Sequence, residues 1–158
     1  MCTAVEYLVN GEAQLAYSDT KAELPVRLRG GRIKLFPWGS ASDLHHTGNT
    51  RLGKFPEGSH ASLQSIRANA WMRFEPDPVR IVASRFLMVD RWQVPRFVAL
   101  EVGEFIHGLV AHIQHYERLY VVTVPTPAEH TEDFPGAYPG WPRIVSMRTR
   151  NLVPNQPV

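Results

Sequence analysis

The second residue, Cys2, is the one cysteine in a chain of 158 residues, and it directly follows Met1. A single cysteine cannot form an internal disulfide or a zinc site of several cysteines, so its position suggests a reactive role. Removal of Met1, which small second residues permit, leaves an amine and a thiol on one residue. Their ordinary pKa values, about 7.7–8.0 and about 8.5, make both groups partly reactive near neutral pH. We predict that Cys2 is a nucleophile. It could convert an aldehyde into a Schiff base and then a thiazolidine, or attack an acyl carbon with the amine as base.

Histidines are the second group of residues that could do chemistry. His107, His112 and His115 lie within nine residues, and His45 and His46 form a separate pair. The i, i+3 spacing of His112 and His115 lets one helical face hold a metal, which makes zinc an alternative. No cysteine or carboxylate stands at a familiar ligand spacing from them. The sequence therefore predicts exposed or core-capping histidines, with no metal and no cofactor.

Arginine dominates the positive charge of the chain. The net charge is +2, and 14 of the 17 basic residues are arginines. Planar guanidinium groups make bidentate contacts with phosphates and stack on bases, so this bias suits nucleic acid, although a GC-rich genome would also produce it. Two alternating segments around Gly30 and Gly31 predict a hairpin that places Arg27, Arg29, Arg32 and Lys34 on one face. That face is either a solvated basic surface or a strip that faces phosphates.

The elements that position these residues are mostly short strands. Alternating or apolar runs predict strands at residues 4–9, 24–29, 32–36, 79–89, 96–100, 105–110, 119–124 and 143–147. The first credible helix is Ser62 to Arg73, and residues 38–62 are predicted to form a long loop. Trp71, Trp92 and residues 86–88 are predicted to belong to the core. The fold class is α+β: a β-rich single domain over residues 1–158, with short, mostly antiparallel strands in a curved or barrel-like sheet and a few short helices.

Two targeting signals are missing from the sequence. There is no run of eighteen apolar residues that could span a membrane, and Met1 to Glu6 has no basic start or apolar stretch typical of a signal peptide. A cytoplasmic location, without membrane partners, is therefore expected.

A series of blocks along the chain resembles the SOS-response-associated peptidase (SRAP) family. The start Met1-Cys2 is similar to the family's Met-Cys-Gly-Arg, and Asn49-Thr50-Arg51 to its Asn-Ala-Arg. Further similar blocks, in the family's order, are Tyr17 to Val26, Arg32 to Trp38, Arg80 to Trp92, Phe105 to Val110, Tyr120 to Pro127 and Val145 to Asn151. The resemblance implies a protein that binds single-stranded or damaged DNA, traps abasic-site aldehydes as a thiazolidine on the mature N-terminal cysteine, and releases its own leading residue.

The resemblance also implies roles for individual residues. Cys2 is the nucleophile, Asn49 orients the open-chain sugar and Arg51 holds a phosphate. Trp38 stacks near the DNA, since aromatic platforms suit unstacked bases. Arg32 and Lys34, on the basic hairpin, complete the predicted nucleic-acid contacts.

The acid and the histidine of the family pattern are less directly matched. The family's glutamate falls on Asp90 if one residue is inserted and on Arg91 if not; we favour Asp90, because a carboxylate can transfer the proton that closes or opens the ring. The His-x-Arg-Met-Pro motif falls on residues 138–142, where no histidine stands, so either Tyr138 or the upstream His130 takes that place. Thr3 and Ala4 replace Gly-Arg. Two alternatives stay open: an N-terminal-nucleophile amidotransferase or amidase, and a non-enzymatic remnant that keeps nucleic-acid affinity.

Overall fold

The computed structural model describes residues 2–19, 21–40, 54–135, 140–150 and 152. Strands account for most of the regular structure in these residues, together with one short α-helix and a few 3₁₀ turns. In chain order the elements are β1 (Ala4–Val9), β2 (Glu12–Tyr17), β3 (Glu23–Arg27), β4 (Ile33–Pro37), β5 (His60–Ser62), α1 (Leu63–Arg67), β6 (Asp77–Ile81), β7 (Arg85–Val89), β8 (Pro95–Ala99), β9 (Glu104–Ile113), β10 (Tyr116–Val124), β11 (Trp141–Pro142) and β12 (Ile144–Ser146).

The smaller sheet has four antiparallel strands in the order β2-β1-β7-β8. Its first hairpin turns at Asn10 and Gly11, which both adopt positive φ angles, 50° and 82°. This is the geometry that Asn-Gly adopts in tight hairpin turns. Because β1 and β7 are antiparallel, with Ala4 opposite Leu87, the start of β1 and the end of β7 lie at the same end of this sheet.

The larger sheet has eight strands. Six follow the order β11-β10-β9-β6-β3-β4, while β12 pairs with β9 and β5 with β10. All the pairs are antiparallel except β5 with β10, which is parallel. The predicted β-rich class of short, mostly antiparallel strands with few helices is therefore confirmed. Over the described residues neither sheet closes into a barrel, although Trp38, just after β4, forms a parallel bridge with Leu119 of β10.

The core has two parts, one on each face of the larger sheet. Leu119 and Val121 of β10 belong to the part shared with the smaller sheet, whereas Tyr120 and Val122 belong to the part under α1. Both faces of β10 are buried, which explains its continuous apolar run. Gly108 of β9 allows the Ile81 side chain of β6 to pack closely against the β9 backbone, since a Cβ at position 108 would lie 2.9 Å from Cδ1 of Ile81.

Two predicted elements are shorter than expected. The helix ends at Arg67 instead of Arg73, because Asn69 adopts the left-handed conformation (φ 65°) that stops a helix. The predicted strand over residues 79–89 divides into β6 and β7, which belong to different sheets. Ser84 fixes the connection between them, since its backbone N–H donates to the carbonyl of Glu6. No helix among the described residues has the length and apolar character that crossing a membrane requires.

Candidate functional site

Cys2 lies immediately before β1, at the edge of the core between the two sheets. The backbone N–H of the next residue, Thr3, donates to the carbonyl of Leu87 over 3.0 Å and ties this segment to β7. The cysteine is 1% exposed, and its thiol donates to the carbonyl of Ala4 over 3.4 Å. The side chain therefore has a fixed place inside the fold.

Burial decides the protonation state of this thiol. Loss of solvation raises the pKa of Cys2 to about 12. Two smaller effects lower that pKa, namely hydrogen bonding to the Ala4 backbone and the positive charge of the amino terminus. At neutral pH the sulfur is therefore a thiol and not a thiolate. Any bond formed by this sulfur needs a base to accept its proton.

His60 of β5 is the titratable side chain that lies against Cys2. Burial lowers the pKa of its imidazole to about 4, and this change is opposed by hydrogen bonding to the Cys2 backbone and increased by the amino terminus. Nδ1 lies 2.8 Å from the hydroxyl of Ser59, while Nε2 has no hydrogen bond of good geometry with any part of the chain that the structure describes. His60 is thus neutral at pH 7.

Trp38 holds the segment that carries His60. Its Nε1 donates to the carbonyl of Ser59 over 2.9 Å, and its ring meets the imidazole edge-on with the centroids 6.2 Å apart. The next residue, Gly39 (φ 72°), permits the close approach of the two segments, because a Cβ there would lie 2.6 Å from the carbonyl oxygen of Gly58. Trp38 is 4% exposed. It was predicted to stack on DNA, but the structure gives it a buried positioning role and no free face for a base.

Asp90 follows β7 and lies at the end of the smaller sheet where Cys2 is found. Its buried carboxylate accepts the backbone N–H groups of Trp92 and Val94 at Oδ1, both over 2.9 Å, and faces Arg96 at 3.9 Å. These bonds close the turn between β7 and β8. The prediction that Trp92 belongs to the core is wrong, because the turn holds this side chain outside both sheets, 64% exposed.

We predict that Asp90→Ala destabilises the fold by about 1–3 kcal/mol, because two backbone N–H groups lose their buried acceptor. Asp90→Asn keeps an oxygen at that position and should leave the unfolding temperature within about 2 °C of the wild type. Thermal unfolding of both variants checks this expectation. Equal losses in the two variants would show that the charge, and not the turn geometry, is what the fold needs.

Some of the remaining predicted site residues lie outside the described residues, and His130 has neighbours other than Cys2. Asn49 and Arg51 lie outside the described residues, as does Tyr138. His130 stacks on Trp141 with the ring centroids 4.6 Å apart. It lines a cavity of about 600 Å³ between the sheets, whose lining includes neither Cys2 nor His60.

The basic hairpin has a different register from the predicted one. Val26 lies opposite Lys34, and Arg27 opposite Ile33, so Arg27 and Lys34 point to opposite faces. A two-residue turn at Gly30 and Gly31 was expected, whereas the observed connection has one residue more. Such a shift moves the side chains of one strand to the opposite face of the sheet. The prediction of a single basic face is therefore wrong. Arg32 is exposed just before β4.

Lys34 is engaged by neighbours on its own face. Its ammonium lies 3.4 Å from the carboxylate of Glu117 and 4.7 Å from the ring centroid of Phe36. Lys34 therefore has local partners that compete with a phosphate for its charge.

The three clustered histidines have separate surroundings. His107 is buried and its Nδ1 lies 3.1 Å from Nη1 of Arg143. His112 lies between Asp77 and Glu117, at 2.8 and 3.6 Å, and His115 stacks on its neighbouring tyrosine. In the parts of the chain that the structure describes, no group of three histidine, cysteine or acidic side chains is arranged to hold a metal.

His60 is the site residue that sequence reasoning missed. It stands 58 positions from Cys2 and belongs to none of the motifs, so no local pattern marks it. The parallel pairing of β5 with β10 brings it to this end of the fold.

No family model, curated protein or solved structure matches this chain.

Proposed function

We propose that this protein captures the aldehyde of an abasic site in single-stranded DNA on Cys2, as a thiazolidine, after Met1 has been removed. The observation that carries the proposal is that a neutral histidine, His60, lies against the backbone of Cys2, whose buried thiol is protonated at neutral pH. The sequence resemblance to the SRAP family supplies the substrate class.

The reaction has two bond-forming steps. The free amine of Cys2 adds to the aldehyde carbon and expels one water, which gives an imine. The sulfur then adds to the imine carbon, and the thiol proton ends on the ring nitrogen. The product contains protein and DNA less one water, and neither step needs an oxidant or a metal.

The electrostatics of the site suit the first of these two steps. Imine formation uses the amine, so it does not require the thiolate that burial disfavours. Ring closure does require loss of the Sγ proton, and we assign its acceptance to His60, which is unprotonated at neutral pH and lies against the Cys2 backbone. In this proposal His60, and not His130 or Tyr138, is the base that serves the cysteine.

Apart from Trp38, the other site residues keep their predicted roles in this proposal. Asn49 orients the open-chain sugar, Arg51 and Arg32 contact the DNA backbone, and Asp90 supplies a carboxylate at the same end of the smaller sheet. Lys34 takes part when its pairing with Glu117 yields to a phosphate. The roles of Asn49, Arg51 and Asp90 rest on the sequence resemblance, and those of Arg32 and Lys34 rest on their positive charge.

The test is a crosslinking assay with the full chain, whose loss of Met1 is first verified by intact mass. A single-stranded oligonucleotide with one abasic site should give a heat-stable band on a denaturing gel, with the summed mass less one water. A tetrahydrofuran analogue, which has no aldehyde, is the matched control and should give none. A processed protein that forms no covalent band would refute the proposal, and hydrolysis of glutamine would indicate the amidotransferase alternative.

A further inference from the structure

Three arginines and a histidine stand side by side across four adjacent strands of the larger sheet. Arg27 of β3 lies opposite Arg80 of β6, and Arg80 lies opposite His107 of β9. His107 in turn donates its backbone N–H to the carbonyl of Arg143, just before β12. Directly opposed residues point to the same face of a sheet, so these four side chains form one line, which we call the arginine row.

The arginine row is on the face of the sheet that Cys2 does not use. In β9, Ile106 packs in the core part that contains Cys2, whereas Leu109 packs in the part under α1. His107 alternates with Ile106 and shares its face with Leu109. Arg67, the last residue of α1, carries a further positive charge that acts on Arg143 from this side.

Neutral groups accept hydrogen bonds from two arginines of the row. Arg80 donates to the carbonyls of Ser146 and Thr149 over 3.1 and 2.9 Å. Arg143 donates to Nδ1 of His107, which must be unprotonated to accept that bond. Among the described residues, no ion pair includes Arg27, Arg67 or Arg80.

The like charges in this line disfavour one another. Burial lowers the pKa of both Arg80 and Arg143. The charge of Arg27 lowers the pKa of Arg80 further, and the charge of Arg67 lowers that of Arg143. Like charges directly opposite each other destabilise a sheet. An anion placed between these guanidinium groups would relieve that repulsion.

We propose that the arginine row, extended by Arg67, binds phosphate groups of a single-stranded DNA backbone. Guanidinium groups match phosphate oxygens in a bidentate geometry, and four strands place Arg27 and Arg143 about 14 Å apart, which is room for more than one phosphate. The identity of the polymer rests on the proposed function. Because the row and Cys2 lie on opposite faces of the larger sheet, the proposed DNA-binding surface extends beyond the capture site.

The test measures reversible binding of an undamaged, fluorescent oligonucleotide at several salt concentrations. Arg27→Gln should weaken binding about tenfold and reduce the slope of log K against log salt by about 0.7 for each phosphate that the variant no longer neutralises. Arg91→Gln removes the same charge from the turn between β7 and β8 and should bind as the wild type does. Arg27→Lys, which keeps the charge, should restore part of the affinity.

A second measurement separates a DNA site from a site for free anions. Tripolyphosphate should raise the unfolding temperature of the wild type more than that of Arg27→Gln, because a ligand that binds the folded state stabilises it. Unchanged DNA affinity and salt slope in a folded Arg27→Gln overturn the proposal, even if the variant no longer responds to tripolyphosphate. Undamaged DNA cannot react with Cys2, so the binding assay tests the arginine row alone. Reaction of Cys2 with a small aldehyde needs no phosphate contact, so that reaction tests the capture site alone.

Discussion

Cys2→Ala is expected to abolish the heat-stable crosslink to abasic DNA and to leave a Schiff base that borohydride can trap. Alanine is also small, so Met1 is still removed and the amine remains, but there is no sulfur to close the ring. The difference between the variant and the wild type should therefore appear on a denaturing gel without reductant and disappear when borohydride is added during the reaction.

Two controls keep this result interpretable. Cys2 is buried, so losing the sulfur leaves a small cavity that costs about 1 kcal/mol, and thermal unfolding must show that the variant remains folded. Cys2→Ser fills that space with an oxygen and should give at most a product that opens on heating. If Cys2→Ala still gave a heat-stable band without reductant, another residue would be the nucleophile.

His60→Gln is expected to slow formation of the stable crosslink by about 100-fold or more, which is the usual contribution of a positioned base. Glutamine retains a polar side chain of similar size but cannot accept the thiol proton. Because the pKa of His60 is about 4, the ratio of the wild-type to the variant rate should stay constant from pH 8 down to about pH 5.5. Taking the ratio removes the pH dependence of the amine, which both proteins share.

An ordinary histidine would behave differently in both rate and stability. With a pKa near 6.5, its advantage over glutamine would fall about tenfold by pH 5.5, and that outcome would contradict the role given to His60. The lowered pKa of the folded state also means that the unfolded chain binds the proton more tightly. Stability from His60 is therefore complete above about pH 6.5 and is lost as the pH falls toward 4. His60→Gln should flatten that dependence in thermal unfolding.

Strands with a clear local pattern could be predicted well from the sequence. The bounds of β1 (Ala4–Val9) match the predicted residues 4–9, and the apolar run at residues 119–124 falls within β10. The β2 strand was missed, although Asn10-Gly11 is a strong hairpin signal. The basic hairpin was predicted, but its register depends on the length of one turn, and a single residue decides which face each arginine occupies.

The candidate site was predictable only in part, because long-range contacts assemble it. The composition and position of Cys2 marked it, yet nothing local shows that the thiol is buried or that His60 lies beside it. The arginine row arises in the same way, since Arg27, Arg80 and Arg143 come from distant parts of the sequence and meet through three strand pairings. Trp92 looked like a core residue by type, but a turn between strands keeps it exposed.

The burial of Cys2 limits the time during which Met1 can be removed from the nascent chain. The residues that enclose it, such as His60 and Leu87, are synthesised long after it, and β1 cannot pair with β7 until the ribosome has passed residue 89. At a synthesis rate of about 5–20 residues per second, about 4–18 seconds pass between the synthesis of the first residues and that of residue 89. Met1 can be cleaved in this interval, before the fold encloses Cys2. A chain that escapes the aminopeptidase during synthesis should therefore remain unprocessed and inactive, and slowing the enzyme in the cell should yield two stable protein populations.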